Sequence, residues 1–266
     1  MTGLLDTNPR FTASLRARDR LVGSFVKTPH PAVVEVMALA AFDFLVLDAE
    51  HGGFDRASVD MCILAGLAWR IPVLVRIPVA EPDWIMFCLD CGAAGLFVPH
   101  VSSVEEAQRI SRLVRYGAGG DRGFSPSVRA GSYGRRGLAA HLHGARQDFA
   151  LVCQIEDPKG VACAGDIAAV DGVDAVFIGP ADLAVAAGLD DMEHPDAVEL
   201  CRLGIAAASA IVPSAIYVSD MAAAGRWQDA GASFFLVGSD HTMIAAGSAA
   251  RLAGAAGTGF AKGARQ

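Results

Sequence analysis

Glu156 and Asp182 each follow a short apolar run that ends abruptly: Leu151–Ile155 runs into Glu156, and Ala175–Ile178 runs into Gly179, Pro180 and Asp182. With Gln154 and water they make an oxygen-rich donor set, which suits a hard divalent cation better than a thiolate metal would. A third run, FDFLVLD, delivers Asp48, Glu50 and His51, and the two glycines after His51 leave room for close approach of a ligand. That is an acid/base position for an imidazole. Arg76 closes the run PVLVRIP, where a guanidinium needs an anionic partner because an unpaired buried charge costs several kcal/mol. Each residue also has a plainer reading: strand-end carboxylates cap helices, a loop histidine can simply be hydrogen-bonded, and Arg76 could be structural glue to Asp48 or Glu50. What favours chemistry is that all of them fall at the same ends of different runs.

Those runs read as buried parallel strands, continuous Val/Ile/Leu/Phe segments bounded by turn residues, and the roughly twenty residues between the runs ending at Glu156 and Gly179 are enough for a crossover helix. Eight such runs occur in order: Leu21–Val26, Phe44–Leu47, Val73–Val75, Gly95–Val98, Leu151–Ile155, Ala175–Ile178, Ala215–Val218 and Phe234–Val237. Helical patterns separate most of them. Pro31 and Pro82 open two as first-turn prolines, Asp55 precedes a third, and Ser103 with Glu106 gives a capping-box spacing for a fourth. Alternation of this kind predicts a single α/β domain, a closed (β/α)8 TIM barrel over residues 1–266, whose chemistry sits at the carboxyl ends of the strands.

One interval breaks the rhythm. After the helix that follows the fourth run comes a stretch rich in Gly, Arg and Ser, RYGAGGDRGFSPSVRAGSYGRRGLAAHLHGARQ. A loop this long is usually a cover, an interface element or disordered. Because the interval leaves from the carboxyl end of the fourth strand, a cover over the site is the expectation.

Composition narrows the partners. A chain of 266 residues that is 53% hydrophobic can bury one large core, and a net charge of −7 argues against a nucleic-acid partner. The longest apolar stretch, Leu203 to Val218, contains Pro213 and falls short of a membrane span, and the N-terminal residues lack a signal-peptide core, so a cytoplasmic location is expected. Six cysteines scattered through apolar surroundings read as free thiols; Cys88 and Cys91 have a zinc-like spacing, but no second pair completes it. Lys27, one of three lysines, follows the first run and would suit a Schiff-base mechanism only if desolvated or set beside another cation.

At these residues the chain resembles the HpcH/HpaI aldolase family, metal-dependent class II pyruvate aldolases that cleave 4-hydroxy-2-oxo acids. The matching pieces are LDAEHGG (47–53), VLVRIP (73–78), DCGAAGLFVPHVSSVEEA (90–107), RGFSPSVRAGSYG (122–134), QIED (154–157), DGVDAVFIGPADL (171–183) and FLVGSD (235–240), in order over nearly the whole chain. The resemblance implies Glu156 and Asp182 as ligands of Mg²⁺ or Mn²⁺, with Co²⁺ as a further candidate. It implies Arg76 beside the pyruvate keto oxygen, and Gln154 with the backbone amides near Ala181 and Asp182 on the carboxylate. His51, oriented by Asp48, would exchange a proton with the substrate's 4-hydroxyl. Asp90 would reach into a neighbouring subunit's site, since the resemblance also implies a hexamer, a dimer of trimers with exchanged last helices. Its partners would be small 2-oxo acids and aldehydes.

Two other classes stay open. An acyl-CoA lyase of the citrate lyase β type would need a basic groove, which the arginines of 109–146 could line; a non-catalytic barrel would have no use for the acid, base and ligand set. The chain departs from common members at PSAIYVSD, where Tyr217 and Val218 replace a smaller run, in the Gly-rich 117–120 segment and in the Ala-rich tail from Ala245.

Overall fold

The computed structural model describes residues 7–253. Eight parallel strands close a barrel in sequence order: β1 (Leu21–Val26), β2 (Phe44–Asp48), β3 (Val73–Arg76), β4 (Gly95–Val98), β5 (Ala150–Ile155), β6 (Ala175–Ile178), β7 (Ser214–Val218) and β8 (Ala232–Ser239), with β8 pairing back onto β1. Strand boundaries extend the sequence expectation by at most two residues per end. The extensions matter at Asp48 and Arg76, which are paired in register as the last residues of their strands. Both were expected just past the strands, because a charged residue reads as a strand end; here their mutual ion pair lets them stay inside the ladder.

Two apolar layers hold the barrel. Inside it, Phe44, Val46, Leu74, Phe97, Val152, Phe177, Phe234 and Leu236 pack together, and Phe11 and Leu15 of helix Thr7–Arg16 join this inner cluster. Gly23 is required here, since a Cβ at that position would lie 2.5 Å from the Phe44 ring. Outside it, strand residues such as Leu45, Val75 and Ile155 pack against the helices in a larger cluster. Each large side chain so buried contributes about 1.5–3 kcal/mol. Capping follows the sequence signals: Asp55 and Ser58 form a reciprocal capping box on helix Arg56–Trp69. Ser103 caps Glu106 on helix Val104–Leu113, but the Glu106 carboxylate reaches back to the Ser102 amide rather than to that of Ser103.

The interval after β4 is not a cover over the carboxyl ends of the strands. Helix Val104–Leu113 first carries the chain back along the barrel wall, so the segment that follows, two 3₁₀ turns and helix Leu138–Gln147, packs on the outer wall. There Arg122 donates to Asp90 at 2.7 Å, and Arg129 donates to Asp60 at 2.6 Å and to the Cys91 carbonyl at 2.8 Å. Helix Asp240–Ala253 leaves Ile244 and Leu252 exposed. Among the described residues no helix is long and apolar enough to cross a membrane.

Candidate active site

The carboxyl ends of β2 and β3 carry an ion-paired set. Asp48 is fully buried and receives both arms of Arg76, Nε to Oδ1 at 2.9 Å and Nη2 to Oδ2 at 2.7 Å. The His51 backbone N–H adds a third bond to Oδ1 at 3.1 Å, and the Lys27 ammonium lies 3.5 Å from Oδ2. Burial works against ionisation of Asp48, but the Arg76 hydrogen bonds and charge, with the His51 amide and Lys27, outweigh it and hold this carboxyl below the usual aspartate range. Arg76 stacks over Phe25, its guanidinium carbon 4.6 Å from the ring centre, and lies 3.3 Å from Glu50.

Asp48 therefore fixes the backbone of His51, not its imidazole as expected. The imidazole is half exposed, and its nearest charged neighbour is Glu50, 3.8 Å from Nε2. The turn beneath it is close-packed: a Cβ at Gly52 would sit 2.4 Å from the Asp48 carbonyl.

Across the mouth, β5 and β6 bring Gln154, Glu156 and Asp182 together. Gln154 donates to Glu156 Oε2, and Gly179 at the end of β6 permits the approach, since a Cβ there would lie 3.0 Å from that oxygen. Asp182 sits in the first turn of helix Pro180–Ala186, whose Ala181 and Asp182 amides have no acceptor inside the helix. Burial pushes the Glu156 carboxyl upward and the negative charge of Asp182 adds to it, while Gln154 and His100 offset only part.

His100 belongs to the site beside Glu50 and was not singled out from sequence. His100 holds a left-handed backbone (φ 60°) just past β4, donates its N–H to Glu156 Oε1 at 2.7 Å, and bridges Glu156 and Glu50 through its ring at 2.7 and 2.9 Å. Its signal was available: it follows a buried strand at much the same offset as His51 follows β2. Asp90 stands apart, engaged by Arg122 at the end of helix Pro82–Asp90 on the outer wall. His241 is exposed, 3.9 Å from Asp240. Cys88 and Cys91 are free, and burial pushes the Cys91 thiol up to about 12.

The donor chemistry fits a hard cation. Among the described residues, buried Gln154 Oε1 has no hydrogen-bond partner and the exposed Asp182 carboxylate forms no ion pair or hydrogen bond. Asp48, Glu50, Glu156 and Asp182 have, among the described residues, Lys27 and Arg76 as their fixed cations, two positive charges against four carboxylates. Among the described residues no three acidic, His or Cys side chains converge as a ready-made metal cage. Two carboxylates with a carboxamide and water remain the available set, in keeping with a Mg²⁺-type ion that retains several waters.

Eight parallel strands closed in sequence order, with the charged groups gathered at their carboxyl ends, make this a TIM barrel with its candidate site at the usual end. The family model for HpcH/HpaI aldolase/citrate lyase matches residues 21–246, and the chain belongs to that family. It is 35% identical over 242 residues to the hydroxypyruvate/pyruvate aldolase of Paraburkholderia phytofirmans, covering 88% of this chain and 92% of the relative. To the 5-keto-4-deoxy-D-glucarate aldolase of Escherichia coli O139:H28 it is 36% identical over 233 residues, covering 87% and 90%. The crystal structure of an HpcH/HpaI aldolase/citrate lyase family protein from Burkholderia cenocepacia superposes with a TM-score of 0.87 at 31% identity, covering 93% of this chain and 99% of the other.

Proposed function

We propose that the protein is a divalent-metal-dependent class II aldolase that reversibly cleaves 4-hydroxy-2-oxo acids to pyruvate and an aldehyde. The observation that carries this reading is the unneutralised Glu156–Asp182 pair beside the orphan Gln154 carbonyl, facing an Arg76 already locked by Asp48. Glu156 and Asp182 would hold Mg²⁺ or Mn²⁺, which when bound supplies Lewis-acid polarisation of the 2-oxo group. Asp48 engages Nε and Nη2 of Arg76 and no described residue engages Nη1, and this donor would stabilise the enolate oxygen as the carbon–carbon bond breaks. Such a fixed donor is worth roughly 3 kcal/mol in a water-poor site. Gln154 and the Ala181 and Asp182 amides position the pyruvate carboxylate, and His51 takes the 4-hydroxyl proton in cleavage or returns it in synthesis.

Partner-subunit help completes the reading: Asp90 serves a neighbouring site in a hexamer, a dimer of trimers. Light scattering giving a monomer would remove that element. Against a basic groove for acyl-CoA, Arg109, Arg112, Arg115, Arg122, Arg129 and Arg136 are each committed to a carbonyl or an Asp. A Schiff base on Lys27 is disfavoured because its side chain is 30% exposed and its charged contact, at 3.5 Å, is the Asp48 carboxylate, not the desolvated setting or cationic contact such a nucleophile needs. The test is aldol addition of pyruvate to a panel of aldehydes with Mg²⁺ or Mn²⁺, with and without EDTA. Activity abolished by EDTA and restored by metal is expected; EDTA-resistant activity with a borohydride-trapped pyruvate adduct would replace this reading.

A further inference from the structure

Lys27 is positioned with care for a residue that has no assigned task. The buried Asp240 carboxylate accepts the backbone N–H groups of Lys27 and Thr28 at 2.7 and 3.0 Å, which pins the chain just beyond β1. The Lys27 carbonyl lies against the turn that carries His51, where a Cβ at Gly52 would come within 3.0 Å of it. Asp48 is the one acidic group its ammonium reaches among the described residues, at 3.5 Å, beyond the usual 2.7–3.2 Å of a strong N–H···O bond. Asp48 already receives three N–H groups from Arg76 and His51, so it has no need of a further donor. The Lys27 side chain is 30% exposed.

Strand order gives this cation a direction. The pyruvate half of the substrate is assigned to β5 and β6 with Arg76 of β3, and the proton-transfer group, His51, to β2. The next strand around the closed barrel is β1, which sets Lys27 beside the strand of His51 and across the barrel from β5, where an aldehyde half extending past His51 would meet it. We infer that Lys27 is the specificity-determining anchor of the aldehyde side, binding a carboxylate on the aldehyde, and that acidic aldehydes are the preferred class. The inference rests on the function proposed above.

The experiment compares kcat/KM for pyruvate addition to 4-oxobutanoate and to its neutral methyl ester, and to glyoxylate and its methyl ester, in wild type, Lys27→Met and Lys27→Arg. The acid-to-ester ratio exceeds one in wild type for at least one pair, falls about tenfold or more in Lys27→Met through KM, and stays within about threefold in Lys27→Arg, as expected when a charged contact is removed or kept. Using the ratio cancels any common loss from disturbing Asp48. A wild-type ratio of one or less in both pairs, or a ratio unmoved by Lys27→Met, overturns the inference. Mn²⁺-dependent deuterium exchange at the pyruvate methyl in wild type separates the two levels. If exchange is absent, the proposed function fails and this inference with it; if exchange is present and the ratio is unmoved, only the role of Lys27 fails.

Discussion

Asp48 and Glu156 are both buried carboxylates at strand ends, yet their surroundings pull their acidities in opposite directions. On the β2–β3 side, a bidentate guanidinium, a backbone amide and an ammonium compensate the charge of Asp48 within the chain. On the β5–β6 side, Glu156 has a carboxamide and His100 for company and a second carboxylate nearby, with no Lys or Arg among the described residues contacting it. One side is a finished ion pair; the other is built to receive charge from outside. In the proposed function the finished side would position a cationic donor before substrate arrives, and the unfinished side would take the divalent cation, whose charge offsets its carboxylates.

Breaking each side should have different consequences. Asp48→Ala strands a buried guanidinium and should cost about 3–5 kcal/mol in urea unfolding. Glu156→Gln removes a charge that no Lys or Arg among the described residues contacts and that His100 offsets only in part. It should leave cation-free stability equal or higher while lowering kcat/KM by about 10³-fold and abolishing Mn²⁺ binding by calorimetry. His51→Ala should reduce aldol cleavage by about 10²-fold with metal affinity unchanged, since its imidazole touches neither Glu156 nor Asp182.

The smallest effect is a difference in pH dependence. Glu156 has a raised folded-state pKa, so between the ordinary glutamate value and that raised value the folded chain holds a proton the unfolded chain has lost. The stability of the metal-free protein should therefore fall as pH rises through that window, and Glu156→Gln should flatten it. Asp48 has the opposite sign: its contribution is fully present above the ordinary aspartate value and is lost as pH falls through its lowered one. Urea titrations at several pH values in EDTA would check both.

The two sides were also unequally legible in the sequence. Glu156, Asp182, Arg76 and Asp48 could be read because each ends a continuous apolar run, and a run of that kind fixes both the strand and the end at which its polar residue emerges. The position of His100 past β4 could be read from its apolar run, but its contacts could not, because they depend on a left-handed backbone that turns the ring onto Glu156 and Glu50 and that a local pattern does not encode for a non-glycine residue. The segment after helix Val104–Leu113 was misplaced because its point of departure, the carboxyl end of β4, was taken as its location; the helix between them reverses the direction. Lys27 could be seen at the end of β1, but its loose contact with an already satisfied Asp48 is a fact of three dimensions.

The most direct test is a crystal structure with Mn²⁺ and pyruvate, with data collected at the manganese edge. The account predicts one anomalous peak per subunit bound by Glu156 and Asp182, with the keto oxygen of pyruvate turned toward Arg76. A peak held by other residues, or pyruvate bound at the mouth with no metal between it and Glu156, would contradict it.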